Sequence, residues 1–242
     1  MEEQFIRTAR LIGGEAVEKL AKSKVLLFGV GGVGSFAAEA LARAGVGEIT
    51  LVDGDTVAPS NLNRQLVALR STIGRSKAEV MAERIRDINP ACRVTPLQVF
   101  YGKDNPDAFD FSACDYVIDA IDSVTSKLLL AEKCKAAGTP LISSMGTGNK
   151  LDPTKFVITD ISKTHTCPLA RVMRRELHKR GIDHLTVVYS REPARTPLPD
   201  PDMEAERGQR RSVPASNAFV PAVAGLIAAS KVIRDLAECE NT

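Results

Sequence analysis

Lys24-Val-Leu-Leu-Phe-Gly-Val-Gly-Gly-Val-Gly-Ser35 decides how the rest of the chain is read. Val25–Phe28 is an unbroken apolar run, as a strand buried on both faces requires. Gly29, Gly31, Gly32 and Gly34 then make a turn into a helix expected over 33–44. Glycine costs about 0.5–1 kcal/mol of chain entropy wherever a side chain would serve. Four in six positions point to a ligand that must approach the backbone, and unpaired N–H groups at a helix start suit phosphate. Ile49-Thr-Leu-Val-Asp53 follows as a second strand ending in a carboxylate, at the offset that serves ribose hydroxyls. Asp55 shares that mouth. The glycine pattern alone would also suit a dehydrogenase.

Working outward, residues 5–22 read as short amphipathic helices. Ser76-Lys-Ala-Glu79 is a capping box opening a helix that ends before Asn89-Pro90. Strands are predicted over 94–99, 115–120 and 140–144, with a helix over 123–137. Such alternation defines an α/β fold: a Rossmann-like, mostly parallel sheet with helices on both faces. After Gly148, β-like runs at 156–161 and 185–189 flank a basic helix over 167–180. These are expected to extend the sheet, and a final helix after Asn217 closes it. The expected organisation is a single domain, 1–242, with a nucleotide-binding core over 1–164. The remainder, 165–242, reads as a C-terminal extension for substrate. Within it, loop 191–212 carries Pro193, Pro197, Pro199 and Pro201, a density that forbids a regular helix or central strand. It is a mobile loop or an active-site lid.

Composition narrows the class. Of 242 residues, 44% are hydrophobic and 26% charged, the net charge is +2 and Trp is absent. Bulk charge does not announce a nucleic-acid binder, and few aromatics argue against a base-stacking sheet. Five cysteines without paired spacing, and no basic-then-apolar leader, point to a reducing cytoplasmic setting rather than a disulfide framework. The apolar run over 213–233 is interrupted by Ser216, Asn217, Lys231 and two prolines, so no integral membrane segment is expected.

The second half of the constellation removes hydride transfer. Asn61-Leu-Asn-Arg-Gln65 is a cluster of amides and a guanidinium suited to phosphate oxygens, with Arg64 offering a planar fork. Lys77 sits at a helix start, where a cation opposes the local dipole and an anionic partner would account for it. Asp119 and Asp122 follow a strand at the ligand-facing edge. Carboxylates there suit magnesium bridged to phosphates, or the cap of the next helix. No P-loop string occurs. NAD chemistry has no need for Arg64, Lys77 and Asp122 converging on phosphates, whereas attack on the α-phosphate of ATP does.

These motifs resemble the ubiquitin-activating-enzyme superfamily, which includes the molybdopterin and thiamine sulfur-carrier adenylyltransferases. The resemblance covers about residues 5–160. It implies ATP-site roles for Gly31, Gly34, Asp53, Arg64, Lys77 and Asp122, with Mg2+ at Asp122. It also implies a homodimer in which Arg10, within Thr8-Ala-Arg10-Leu-Ile-Gly13, reaches the partner's ATP site. Arg64-Gln-Leu-Val-Ala-Leu-Arg70, Tyr116-Val-Ile-Asp-Ala-Ile-Asp-Ser123 and Ile158-Thr-Asp-Ile-Ser-Lys-Thr164 are similar to the branch that dehydrates threonylcarbamoyladenosine in tRNA. That branch implies a tRNA substrate and allows a sulfur-relay protein partner. The alternative is activation of the C-terminal glycine of a ubiquitin-like sulfur carrier. Sulfur-carrier activators usually hold zinc on two CxxC pairs; this chain has none, so no zinc is expected. A thioester relay at Cys167, in Thr164-His-Thr-Cys-Pro168, stays open, although ring closure needs none. Arg171-Val-Met-Arg-Arg-Glu-Leu-His-Lys-Arg180 holds five Lys/Arg against one Glu. With Arg207, Arg210 and Arg211 it is expected to contact RNA phosphates, unless it is only a solvated amphipathic helix.

Overall fold

The computed structural model describes residues 2–198 and 214–239. Helices α1 (Ile6–Ile12) and α2 (Gly14–Lys22) lead into β1 (Lys24–Phe28). The chain then alternates through α3 (Gly34–Ala44), β2 (Glu48–Val52), α4 (Lys77–Ile88), β3 (Arg93–Leu97), β4 (Tyr116–Asp119), α5 (Val124–Ala137) and β5 (Leu141–Ser144). It continues with β6 (Phe156–Asp160), α6 (Pro168–His178), β7 (Thr186–Ser190) and α7 (Val220–Leu236).

The strands form one seven-stranded sheet in the order β3-β2-β1-β4-β5-β7-β6. All pairings are parallel except β6 with β7, so the segment after Gly148 adds two strands to the same sheet. From β1 the chain winds outward to β2 and β3, then returns beside β1 with β4. That reversal opens a crevice at the carboxyl ends of β1 and β4, where doubly wound sheets hold ligands.

Each face carries its own core. Leu20, Ala38, Leu41, Met81, Ile85 and Val232 cover one face from α2, α3, α4 and α7. Leu128, Leu130, Met173 and Leu177 cover the other from α5 and α6. Local signals set the boundaries. Ser76 Oγ accepts from the Glu79 N–H at 3.5 Å to start α4, and Gly45 ends α3 in the left-handed conformation at φ 95°. The third strand ends two residues earlier than predicted, at Leu97, because Val99 and Phe100 leave the sheet and remain 40% and 71% exposed.

The close approach of α3 and α7 depends on a residue without a side chain. A Cβ at Gly225 would lie 2.2 Å from the Val33 carbonyl oxygen and 3.1 Å from the Ala37 nitrogen. Gly225→Ala should therefore destabilise the fold by about 1–3 kcal/mol of overpacking, outweighing the roughly 1 kcal/mol of helix propensity that alanine adds. A lowered thermal midpoint would show this, and an unchanged or raised one would refute it.

Candidate nucleotide site

The carboxyl-edge crevice is a cavity of about 570 Å³. Its floor is the glycine turn. Gly29, at φ 87°, accepts no side chain, since a Cβ would sit 2.7 Å from the Ala120 carbonyl oxygen. Gly31 and Gly32 line the cavity, and their N–H groups have no acceptor among the described residues. Ser35 fastens this turn to the next wall: its hydroxyl donates to the Gly31 carbonyl at 2.6 Å and accepts the Leu66 N–H at 3.2 Å.

Asp53 closes the turn from β2. One carboxylate oxygen accepts the Val30 N–H at 2.6 Å and the other accepts the Asp55 N–H at 2.8 Å. Burial pushes its carboxyl above the usual range, while the Asp55 and Val30 N–H groups and the Lys77 cation pull it back. Each oxygen keeps a further lone pair for a ribose hydroxyl. Lys77 opens α4 with its side chain only 7% exposed, and its Nζ lies 2.8 Å from Asp55 Oδ2. Both residues line the cavity, as do Asn61, Arg64, Gln65 and Asp122. Asn61 Oδ1 accepts the Ala58 N–H at 3.1 Å, which shapes the entry to that segment. Arg64 uses Nη1 on the Ser60 carbonyl and Asn63 Oδ1, both at 2.8 Å. Gln65 Oε1 is buried with no hydrogen-bond partner among the described residues.

Three residues expected at the site lie elsewhere. Asp119 is fully buried beneath the cavity. Its Oδ2 accepts from Lys127 Nζ at 3.0 Å and Ser143 Oγ at 2.5 Å, and its Oδ1 takes the Ile121 N–H at 3.1 Å. It fixes the loop that carries Asp122 and offers no ligand atom. Gly34 does not line the cavity; a Cβ there would lie 1.7 Å from the Gly29 carbonyl oxygen, so it joins helix to strand. Asn63 also lies outside the lining, and its Nδ2 donates to the Ser216 carbonyl at 3.1 Å. Arg10, expected to act in a partner's site rather than its own, is exposed on α1 and does not line its own chain's cavity.

The sequence reading missed Val99, Phe100, Tyr101, Ser126 and Thr147, which also line the cavity. Exposed apolar residues directly after β3 were the available signal. Buried Lys127 was also missed; a lysine one turn into α5 carries no mark of burial.

Most cations of the basic helix have partners within the fold, although two carboxylates do not balance five positive charges. Arg174 Nη1 donates to the Thr164 carbonyl at 2.8 Å and to its hydroxyl at 2.7 Å. Arg175, Lys179 and Arg180 pair with Glu176, and Arg180 also with Glu132. Arg171 is exposed with no partner among the described residues. Arg207, Arg210 and Arg211 lie outside the described residues, as does loop 191–212 from Pro199 onward. Burial pushes the thiols of Cys92 and Cys114 up to about 11 and that of Cys134 to about 12, so all three stay protonated at neutral pH. Cys167 is buried at the start of α6. Among the described residues, no helix is long and apolar enough to cross a membrane.

A doubly wound sheet with bare glycine N–H groups, a carboxylate at the end of β2, an arginine, a buried lysine and an open carboxylate in one cavity defines a nucleotide-binding protein equipped for triphosphate chemistry. Residues 5–242 match the ThiF family, and the chain belongs to it. It is 49% identical over 244 residues to the tRNA threonylcarbamoyladenosine dehydratase of Bacillus subtilis, covering 98% of this chain and 95% of that one. The fold superposes on the Escherichia coli tRNA N6-threonylcarbamoyladenosine dehydratase in complex with AMP, with a TM-score of 0.87 at 39% identity and coverage of 98% and 95%. The ATP complex of that enzyme gives 0.86 at 38% identity, covering 99% of this chain and 97% of that one.

Proposed function

We propose that this chain consumes ATP to cyclise threonylcarbamoyladenosine in tRNA. The threonyl carboxylate attacks the α-phosphorus and pyrophosphate leaves. Internal attack on the activated carbonyl then closes a ring and expels AMP, for a net loss of water. The observation that carries this is the convergence of Gly31, Gly32, Asp53, Arg64, Lys77 and Asp122 on one cavity; the extended similarity to dehydratases supplies the substrate.

A carboxylate nucleophile is already ionised at neutral pH, so no general base is required. The protein's task is positioning and charge neutralisation. Gly31 and Gly32 N–H groups donate to phosphate oxygens, and Asp53 accepts from the ribose hydroxyls. Arg64 and Lys77 offset the charge on the phosphates. Lys77 is held ready by Asp55, which its Nζ leaves or shares when a triphosphate arrives.

Mg2+ fits the donor set. Asp122 is exposed in the cavity with no hydrogen-bond partner among the described residues, and magnesium is commonly held by one or two carboxylates plus phosphates. The ion would add positive charge at the phosphates when bound. In the same reading two copies pair, Arg10 of each completes the other's site, and the 165–242 extension presents the RNA in the cytoplasm. Neither a thioester at Cys167 nor a sulfur-relay partner enters the scheme.

The test is incubation with ATP, Mg2+ and tRNA bearing threonylcarbamoyladenosine. AMP and a nucleoside lighter by one water are expected. ATP–pyrophosphate exchange that depends on a small carrier protein, with no change in the nucleoside, would overturn the reading.

A further inference from the structure

We infer that Lys150 and Arg195 hold a backbone phosphate of the RNA substrate in a second cavity beside the nucleotide site, an inference that rests on the proposed tRNA reaction. This cavity, of about 260 Å³, lies beyond the carboxyl ends of β5 and β7. Those strands run parallel to β4, so the cavity opens on the sheet edge that carries the nucleotide crevice. Ser216 lines both cavities, and the two adjoin there. Asn149 ties together the three segments that form the second one. Its N–H donates to the Ala215 carbonyl at 2.8 Å, its Oδ1 accepts the Ala215 N–H at 2.7 Å, and its carbonyl accepts the Arg195 N–H at 2.8 Å. Asn217 Nδ2 donates to the Lys150 carbonyl at 3.0 Å. The backbone that presents both cations is therefore fixed.

Lys150 carries the inference. It lines the cavity yet is only 5% exposed, and its Nζ has one partner among the described residues, the Glu192 carbonyl at 2.6 Å. The nearby Glu192 carboxylate is spent elsewhere, on the Leu151 and Asp152 N–H groups at 3.0 and 2.9 Å and on Arg195 at 3.4 Å. Buried ammonium groups are ordinarily paired, because an uncompensated charge is costly away from water. A lysine buried without a carboxylate is set to receive an anion from outside. Arg195 lines the same cavity with its side chain 65% exposed and adds a planar fork suited to phosphate. Chemistry selects the anion. The carboxylate that attacks ATP must reach the α-phosphorus in the first cavity, and clamping it between two cations would blunt it as a nucleophile. The group held beyond Ser216 is one that does not react. On an RNA strand that is a phosphate flanking the modified nucleoside, and such contacts fix the position of the strand without reading its sequence.

Lys150→Met and Arg195→Gln should each raise KM for tRNA about tenfold, as loss of a charge-assisted hydrogen bond does. ATP affinity by calorimetry should stay at the wild-type value. Each variant should also reduce the slope of log K against log salt for tRNA binding by about one, a change that a merely structural role would not produce. Arg195 is a surface residue, so Arg195→Gln decides the matter even where Lys150→Met fails to fold. Wild-type KM and salt slope in either folded variant would overturn the inference. An equal loss with the free nucleoside, which has no phosphate, would assign the cations to the reacting carboxylate and overturn it as well. A wild-type protein that neither binds nor changes tRNA would instead bring down the proposed reaction, and this inference with it.

Discussion

Lys77→Met should lower the turnover number for AMP formation by about 10²–10³ while leaving the fold nearly as stable. The reasons lie in the two ends of the side chain. The lysine stem is buried at the start of α4, and methionine fills a similar volume without the charge. Its partner Asp55 has a side chain 55% exposed and can turn to water when the cation is gone. An ion pair with one partner so exposed contributes at most about 1 kcal/mol, so the melting midpoint should move little. The reaction is affected far more. Lys77 is a fixed charge lining the cavity, and in the proposed reaction it faces the negative charge that gathers as pyrophosphate departs. Removing one preorganised group of that kind costs about 10²–10³ in rate. Steady-state AMP release at saturating ATP, set beside a urea titration, separates the two effects. A variant that turns over within threefold of wild type would remove Lys77 from the chemistry.

The same contrast between short-range and long-range information explains what the sequence disclosed. The glycine turn and the place of Asp53 at the end of β2 were readable because strand, turn and helix are local and follow from neighbours in the chain. Arg64, Lys77 and Asp122 were readable only as chemical types; the parallel order β2-β1-β4 is what gathers them. Asp119 and Asp122 show where reading stops. Both stand beyond the same strand, three residues apart, and the sequence offers two carboxylates at one edge. In the fold, Asp119 is the last residue of β4 and points into protein, while Asp122 sits beyond the turn and faces the cavity. What separates them is Lys127, eight residues on, whose burial depends on β5 packing alongside. Gly34 was misread for a related reason. It belongs to the ligand-binding motif by pattern, but its missing side chain serves contact with Gly29 rather than with a phosphate. Phe100 was passed over because one exposed aromatic has no periodicity to mark it.

Lys127 is where the second large effect is expected. Its side chain has no exposed surface, and its Nζ bonds Asp119 Oδ2 at 3.0 Å, Ser143 Oγ at 3.3 Å and the Ser144 carbonyl at 2.8 Å. One cation thus joins α5, β4 and β5 directly beneath the cavity. Lys127→Met keeps the stem but strands a carboxylate and a carbonyl oxygen out of reach of water. Breaking a buried pair from one side costs about 3–5 kcal/mol, a large part of the 5–15 kcal/mol that holds a typical domain. The urea midpoint should fall accordingly with little change in slope. The companion variant decides whether charge or volume is responsible. In Asp119→Asn with Lys127→Met no buried charge remains, so a substantial share of the loss should return, as coupled neighbours show interaction energies of about 0.5–3 kcal/mol. The amide oxygen that Asp119→Asn leaves in place can still accept the Ile121 N–H, so the loop bearing Asp122 should keep its course and the folded double variant its ATP affinity. If the double variant were as unstable as Lys127→Met alone, the loss would come from packing, and the ion pair would have no special part in holding the floor of the site.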